Sequence, residues 1–110
     1  ESVDDNAYTN VMAQWNLERA ADTVDWFRSR RPDDWPIVCE RLQVKPDESD
    51  SWRRTAELMT TGFDRPTNLF EQFSGFFQLE EVELQAYRTL PVPIDVTLGR
   101  DRTQKSKVVK

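Results

Sequence analysis

The chain has 110 residues, a length usual for one domain, and it carries 37% hydrophobic and 32% charged residues. Four Trp, six Phe and two Tyr supply enough large apolar area for a core, which excludes an intrinsically disordered composition. One Cys and no His exclude a disulfide framework, a zinc finger, and a Ser-His or Cys-His catalytic pair within the chain. Most enzyme mechanisms that remain open must therefore rely on carboxylates.

The net charge of −5 is unevenly distributed along the chain. Residues 1–99 hold 10 basic and 19 acidic side chains, whereas residues 100–110 hold five basic and one acidic. A basic terminus can attract nucleic acid or an acidic ligand, or it can simply be a solvated helix end. The acidic body argues against nucleic acid as a partner, and the longest apolar run is too short for a membrane span.

The first predicted element is a long helix that begins after residues 4–6 and ends before Pro32. Asp5 or Asn6 can cap it by accepting a backbone N–H. Its apolar residues recur at helical spacing and cover more than one face, so we expect burial on several sides. They are Tyr8, Val11, Met12, Ala13, Trp15, Leu17, Ala20, Val24 and Phe27.

Two shorter helices are predicted next. Asp33 can cap the first of them, with Pro36 tolerated in its first turn. The second runs over residues 49–60, and Gly62 suits a left-handed position at its C-terminal cap. Cys39 lies on an apolar stripe and is expected to be a buried, reduced thiol. The stripe consists of Trp35, Val38, Cys39 and Leu42.

The periodicity changes after residue 62. An aromatic run bounded by turn residues predicts a short strand or an ordered loop around residues 63–77. Residues 79–86 are expected to form one or two helical turns, residues 91–93 are extended, and a last helix starts between Gly99 and Ser106. The predicted fold class is therefore all-α, mainly helical, with one short strand or loop.

Glu71 and Gln72 are candidate binding residues because they lie among five Phe residues between positions 63 and 77. A carboxylate in aromatic surroundings can act as an acid or accept hydrogen bonds from sugar hydroxyls. If this run forms a strand, successive side chains alternate between its two faces, so Glu71 can equally point outward into solvent. Lys110 ends an amphipathic stretch, and composition alone predicts that its side chain is solvated.

Three blocks of the sequence resemble one known family. Residues 3–17 read V-D-D-N-A-Y-T-N-V-M-A-Q-W-N-L, which closely resembles a segment of glycoside hydrolase family 65. That family contains maltose, trehalose, kojibiose and nigerose phosphorylases and related hydrolases. The resemblance continues through residues 68–77 and resumes at residues 98–110, in the family's order and spacing. It covers essentially the whole chain.

The resemblance implies that residues 1–110 form a single partial domain, an internal slice of an (α/α)6-barrel catalytic domain. Both ends are expected to be cuts through a larger protein, since the chain opens without a Met and stops in an uncapped pattern. The family's general acid is the glutamate of a P-D-E-Y-H motif that precedes the segment matching Glu1. Lys110 matches the first member of a Lys-Gln pair that contacts the sugar at the cleaved bond. The phosphate-binding residues lie beyond Lys110.

The implied activity of the parent is that of an inverting α-glucoside phosphorylase or hydrolase acting on a glucose disaccharide of the maltose, trehalose or kojibiose type. A phosphorylase would use inorganic phosphate as co-substrate and release β-glucose 1-phosphate, with no cofactor and no metal. We expect the parent protein to be cytoplasmic, and the resemblance is compatible with a homodimer. The rest of the parent protein is expected to pack against this chain. The chain alone is expected to be inactive because its general acid lies upstream. The alternative is a helical interaction module without catalytic activity.

Overall fold

The computed structural model of the chain describes residues 3–108. Its first helix, α1, spans Ala7–Arg30 and is capped as the sequence predicts. The side-chain oxygen of Asn6 accepts from the backbone N–H of Thr9 at 3.0 Å. The helix ends where the N–H of Arg31 donates to the carbonyl of Phe27 at 2.8 Å, one residue before Pro32. Because Pro32 has no N–H, it cannot continue the helix.

The second helix, α2, spans Trp35–Leu42, and the prediction that Asp33 caps it is wrong. Asp34 occupies the cap position, but its carboxylate pairs with Arg31 at 2.7 Å and makes no capping bond. The ion pair competes with the capping geometry for the same carboxylate. Cys39 is half-buried rather than buried, and Leu42 is exposed, so this stripe is only partly covered.

The third helix, α3, spans Glu48–Leu58 and packs along α1. The amide of Gln14 donates to the carbonyl of Ala56 at 2.7 Å, and Arg53 bridges Asp22 at 3.1 Å and also Asp25 on α1. The expected cap at Gly62 is wrong, because the helix ends on Met59 in an extended conformation. Gly62 lies beyond the end of the helix and adopts a left-handed conformation there, with a φ of 72°.

Residues 63–77 contain two short strands, so the strand-or-loop prediction for this region is confirmed. Strand β1 (Phe63–Asp64) pairs antiparallel with β2 (Leu69–Phe70), with Phe63 opposite Phe70. Asn68 adopts a positive φ of 60° in the turn, a conformation that Asn tolerates better than most residues.

The C-terminal part is built from short turns. Two 3-10 turns span Phe76–Gln78 and Leu84–Tyr87, followed by α4 (Ile94–Leu98) and α5 (Arg100–Gln104). The helical turns expected over residues 79–86 occur only in part, because Glu80 instead forms a parallel bridge with Ser106. The last helix begins at Arg100, within the predicted interval.

The described chain is mainly helical, as predicted, but it is far from compact. Its radius of gyration is 21.6 Å, whereas about 13 Å is typical of a compact domain of this length. Its accessible surface is 8730 Å², against about 6,300 Å² for a folded monomer of this mass. Within residues 3–108 no helix is both long enough and apolar enough to cross a membrane.

The expected burial of α1 on several sides does not occur within residues 3–108. Tyr8 is 76% exposed and Trp15 52%, while the buried positions of the helix are Ala7, Ala21 and Val24. The reason is geometric: α3 covers one side of α1, and the short C-terminal elements do not wrap around the other. A large apolar surface of α1 thus remains open.

Candidate functional site

The candidate site lies where the start of α1 meets the chain that follows β2. The N–H of Ala7 donates to the carbonyl of Gln72 at 2.9 Å, and the N–H of Ser74 donates to the carbonyl of Asp4 at 3.0 Å. These two bonds fasten segments that are more than sixty residues apart in the sequence. A groove of about 440 Å³ opens beside the bond between Ala7 and Gln72. It is lined by Asn6, Ala7, Tyr8, Val11, Phe70 and Gln72.

Asn10 anchors the segment before α1 to the turn after α3. Its side-chain amide donates to the carbonyl of Thr60 at 2.8 Å and to the carboxylate of Asp5 at 3.3 Å. Asp5 has a positive φ of 51°, which few residues other than Gly, Asn and Asp adopt. The bond from Asn10 therefore helps to hold a conformation that the backbone alone disfavours.

Gly62 permits the closest approach of two backbone segments in the site. The N–H of Glu71 donates to the carbonyl of Gly62 at 2.7 Å. A Cβ on Gly62, whose φ is +72°, would lie 2.6 Å from the carbonyl oxygen of Glu71. Only glycine meets both the left-handed conformation and the short contact.

Glu71 and Gln72, which the sequence pairs as candidates, face different cavities. Gln72 lines the 440 Å³ groove, whereas Glu71 lines a cavity of about 60 Å³. One carboxylate oxygen of the half-buried Glu71 accepts from the N–H of Phe77 at 3.1 Å and thereby caps the first 3-10 turn. Lys110 lies outside the described residues.

A second cluster, which sequence reasoning missed, joins residues 80–81 to residues 102–107. Arg102 donates from Nη2 to Oε1 of Glu80 at 2.6 Å, and Nζ of Lys107 lies 2.8 Å from Oε1 of Glu81. The hydrogen bond from Arg102 lowers the pKa of Glu80, and that from Lys107 lowers the pKa of Glu81. The sequence feature that could have indicated this cluster is the acidic run at 80–83, whose charge is opposite to that of the basic residues in 100–110.

The residues that line the groove combine aromatic rings with side-chain amides. The rings of Tyr8 and Phe70 offer apolar faces, and the amides of Asn6 and Gln72 offer donors and acceptors for hydroxyl groups. The oxygen of the Asn6 amide is engaged by Thr9, which leaves its nitrogen as the donor. Across residues 3–108 no three carboxylate, thiol or imidazole groups converge as metal ligands would.

Comparison with known proteins gives a match along the full length of the chain. The family model described as the glycosyl hydrolase family 65 central catalytic domain matches residues 1–110. A kojibiose phosphorylase from Halothermothrix orenii is 28% identical over 110 residues, which is 100% of this chain and 14% of that protein.

Two alpha,alpha-trehalose phosphorylases match shorter stretches. The one from Thermoanaerobacter brockii is 31% identical over 80 residues, 73% of this chain and 10% of its own length. The one from Geobacillus stearothermophilus is 34% identical over 76 residues, 69% of this chain and 10% of its own length. The chain thus spans 14% or less of each of these relatives. It belongs to glycosyl hydrolase family 65 and lies within the central catalytic domain of that family.

Proposed function

We propose that this chain forms one wall of the sugar site in an inverting α-glucoside phosphorylase or hydrolase that acts on a glucose disaccharide. The observation that carries the proposal is the groove between Asn6 and Gln72, whose lining comes from residues 6–11 and 70–72. Both stretches fall within blocks that resemble the family. The kojibiose and trehalose phosphorylases among the relatives support a disaccharide and inorganic phosphate as the substrates.

Within this wall, we assign sugar contacts to Gln72, Glu71 and Lys110. Gln72 lines the groove, and a side-chain amide can bond two hydroxyls. Glu71 lines the separate cavity of about 60 Å³ and uses one carboxylate oxygen to hold the N–H of Phe77; the assignment of its other oxygen to a sugar hydroxyl rests on its place in the aromatic run of the sequence. Lys110 is assigned on the family resemblance alone.

The proposed reaction inverts the anomeric carbon. A glutamic acid of the parent protein, upstream of Glu1, protonates the glycosidic oxygen while phosphate attacks the anomeric carbon from the opposite face, which gives β-glucose 1-phosphate. In a hydrolase, a second carboxylate would activate water for the same attack. General acid catalysis typically contributes about 10²–10⁴-fold, so the 110-residue chain without that acid is proposed to be inactive.

The test is an assay of the full-length protein with kojibiose, trehalose and maltose, each with and without inorganic phosphate. We expect phosphate-dependent release of β-glucose 1-phosphate from one of them, with the anomer read by proton NMR at early times. Phosphate-independent release of glucose would identify a hydrolase instead. An α-anomer of the product would contradict inversion. The same assay on the isolated chain should give no turnover, and absence of turnover in the full-length protein would favour the helical interaction module.

A further inference from the structure

The side-chain amide of Asn10 joins the segment before α1 to the segment after α3. Its Nδ2 donates to the carbonyl oxygen of Thr60 at 2.8 Å and to Oδ1 of Asp5 at 3.3 Å. Both partners are acceptors, which assigns the nitrogen of the amide, and not its oxygen, to these contacts. The nitrogen carries two hydrogens, so the half-buried Asn10 can donate to both acceptors at once.

The contact with Asp5 supports the groove wall that is formed by the start of α1. Asp5 has a positive φ of 51°, a conformation that costs free energy in a residue with a Cβ. The next residue, Asn6, caps α1 through its side chain and lines the groove. The bond from Asn10 therefore stabilises the turn that places Asn6 in the groove wall.

The contact with Thr60 supports the other wall, which is formed by Phe70 and Gln72. Two residues after Thr60, the carbonyl oxygen of Gly62 accepts the N–H of Glu71 at 2.7 Å. Gln72 follows Glu71 directly in the chain. One short backbone hydrogen bond therefore connects the segment that Asn10 holds to the residues of this wall.

The direct bond between the two walls does not by itself fix the angle between them. It joins the N–H of Ala7 to the carbonyl of Gln72 at 2.9 Å, and two segments that are joined at one point can rotate about it. A second bond, from the N–H of Ser74 to the carbonyl of Asp4 at 3.0 Å, depends on the turn that Asn10 stabilises. The two contacts of Asn10 thus supply the restraint that the bond at Ala7 lacks.

We propose that Asn10 is a positioning residue of the sugar site, because it sets the angle between the two walls of the groove by bonding to the supports of both. This inference rests on the proposed function, which assigns the groove to the sugar. Asn10 itself does not contact the sugar, since its amide nitrogen is engaged by Asp5 and Thr60. Loss of the amide should weaken sugar binding without removing a group that the sugar contacts.

The test compares Asn10→Ala with Gln14→Ala in the full-length enzyme. Gln14 lies one turn further along α1, and its amide donates to the carbonyl of Ala56 at 2.7 Å, so it makes a similar bond away from the groove. We expect Asn10→Ala to raise KM for the disaccharide about tenfold with little change in kcat, because a displaced wall fits the sugar less well. Gln14→Ala should leave KM within about twofold of the wild type. A variant that is only less stable loses folded enzyme, which lowers the apparent kcat and leaves KM unchanged.

Hydrogen exchange tests the structural half of the inference without any substrate. The amides of Ala7, Glu71 and Ser74 donate the backbone bonds that hold the two walls. Their exchange in the full-length protein should be faster in Asn10→Ala than in the wild type. It should be unchanged in Gln14→Ala, whose bond lies outside this junction.

A rescue experiment links the effect to the contact with Asp5. Asn10→Asp keeps the size of the side chain but sets a carboxylate against two acceptors, so its KM should rise at least as far as that of Asn10→Ala. The added change Asp5→Asn supplies a donor to that carboxylate and should recover part of the loss. Asn also tolerates the positive φ at this position.

Unchanged KM in Asn10→Ala, or equal KM changes in Asn10→Ala and Gln14→Ala, would overturn the inference. Unchanged exchange at the three amides, or no recovery when Asp5→Asn is added to Asn10→Asp, would overturn it as well. A wild type without turnover on any of the three disaccharides would instead contradict the proposed function. The exchange at the three amides would then still decide whether Asn10 holds the walls.

Discussion

The backbone N–H of Ala7 and the carbonyl oxygen of Gln72 lie 2.9 Å apart, which joins the first turn of α1 to the chain beyond β2. The first N–H groups of a helix have no partner within the helix, so an outside acceptor satisfies one of them here. The backbone carbonyl of Gln72 is thereby occupied by a hydrogen bond to α1, and both Ala7 and Gln72 line the groove. The two walls of the groove are consequently held at a fixed spacing by the main chain.

Gly62→Ala in the full-length protein should destabilise the site more than Gly75→Ala. Both glycines have positive φ, +72° and +85°, so either substitution carries the cost of a left-handed alanine, roughly 1 kcal/mol. The new Cβ at Gly62 would also lie 2.6 Å from the carbonyl oxygen of Glu71, whereas at Gly75 nothing lies within 4 Å. We expect a total loss of about 2–3 kcal/mol at Gly62, measured by urea unfolding. Equal losses for the two variants would show that the backbone contact is not needed.

Glu71→Gln in the full-length enzyme should raise KM or lower turnover, with kcat/KM reduced at least about tenfold, because one hydrogen bond to a charged group contributes about 1.5–3 kcal/mol. Gln keeps an oxygen that can accept from Phe77, so the 3-10 turn stays capped, but the charge and the second acceptor oxygen are lost. Glu83→Gln is the matched control, since Glu83 likewise accepts from a backbone N–H, that of Gln85, at the start of the second 3-10 turn. The two variants are compared by steady-state kinetics, in which one substrate is varied while the other is held in excess, and then the reverse. Unchanged constants for Glu71→Gln would remove this carboxylate from the sugar site.

The isolated 110-residue chain should self-associate in solution. Three aromatic side chains on α1 are each at least half exposed: Tyr8, Trp15 and Trp26. Exposed apolar patches of this kind drive association. Sedimentation velocity at rising concentration should show oligomers or aggregates, and Trp15→Gln should reduce them. A stable monomer at high concentration, with a radius of gyration near 13 Å, would contradict the expectation.

The sequence predicts the long helix well because its signals are local. Asn6 caps it, Pro32 follows its end, and both act within one turn. The pairing of Glu80 with Ser106 joins residues that are 26 positions apart, and no periodicity in either segment indicates it. Gly62 shows the same limit: its left-handed conformation was predictable, but the reason for it, the carbonyl of Glu71, depends on how the strands pair. Glu71 and Gln72 were predicted from their place in an aromatic run, and Lys110 from the family resemblance; that Glu71 and Gln72 line two different cavities is seen only in the structure.

The pairs formed by Glu80 and Glu81 should make the C-terminal segment sensitive to acid. Their partners, Arg102 and Lys107, lower the pKa of each carboxyl below its usual 4.5. A depressed pKa in the folded state means that the stabilisation is present above 4.5 and is lost as pH falls through the lowered folded values. We expect the difference in hydrogen exchange at residues 105–108 between wild type and Glu80→Gln/Glu81→Gln to be constant near neutral pH. It should shrink below pH 4.5 and in high salt, since exposed pairs are screened. A difference that persists undiminished in strong acid would show that the charges do not hold the segment.

Lys110→Met in the full-length enzyme should lower kcat/KM by at least tenfold, equivalent to about 1.4 kcal/mol of transition-state binding. Met keeps the length of the side chain but removes its charge and three hydrogen-bond donors. A lysine beside an apolar stretch such as Val108-Val109 costs several kcal/mol to desolvate unless a partner compensates it. The hydroxyls of a bound sugar and an acidic neighbour can provide that compensation, so the loss should fall on catalysis while the unfolding midpoint changes little.

Lys105→Met provides the control for Lys110→Met, because it removes a lysine of the same terminus whose side chain is exposed at the end of α5. Its backbone bond to Glu80 is untouched by the substitution. We expect wild-type kinetics for Lys105→Met, since a solvated lysine outside the groove contributes only to the general charge of the terminus. If both variants lost activity equally, the basic charge of residues 100–110 would matter rather than one lysine at the sugar. If Lys110→Met retained wild-type efficiency, the assignment of this position by family resemblance would fail, and the sugar contacts of this chain would reduce to those of the groove.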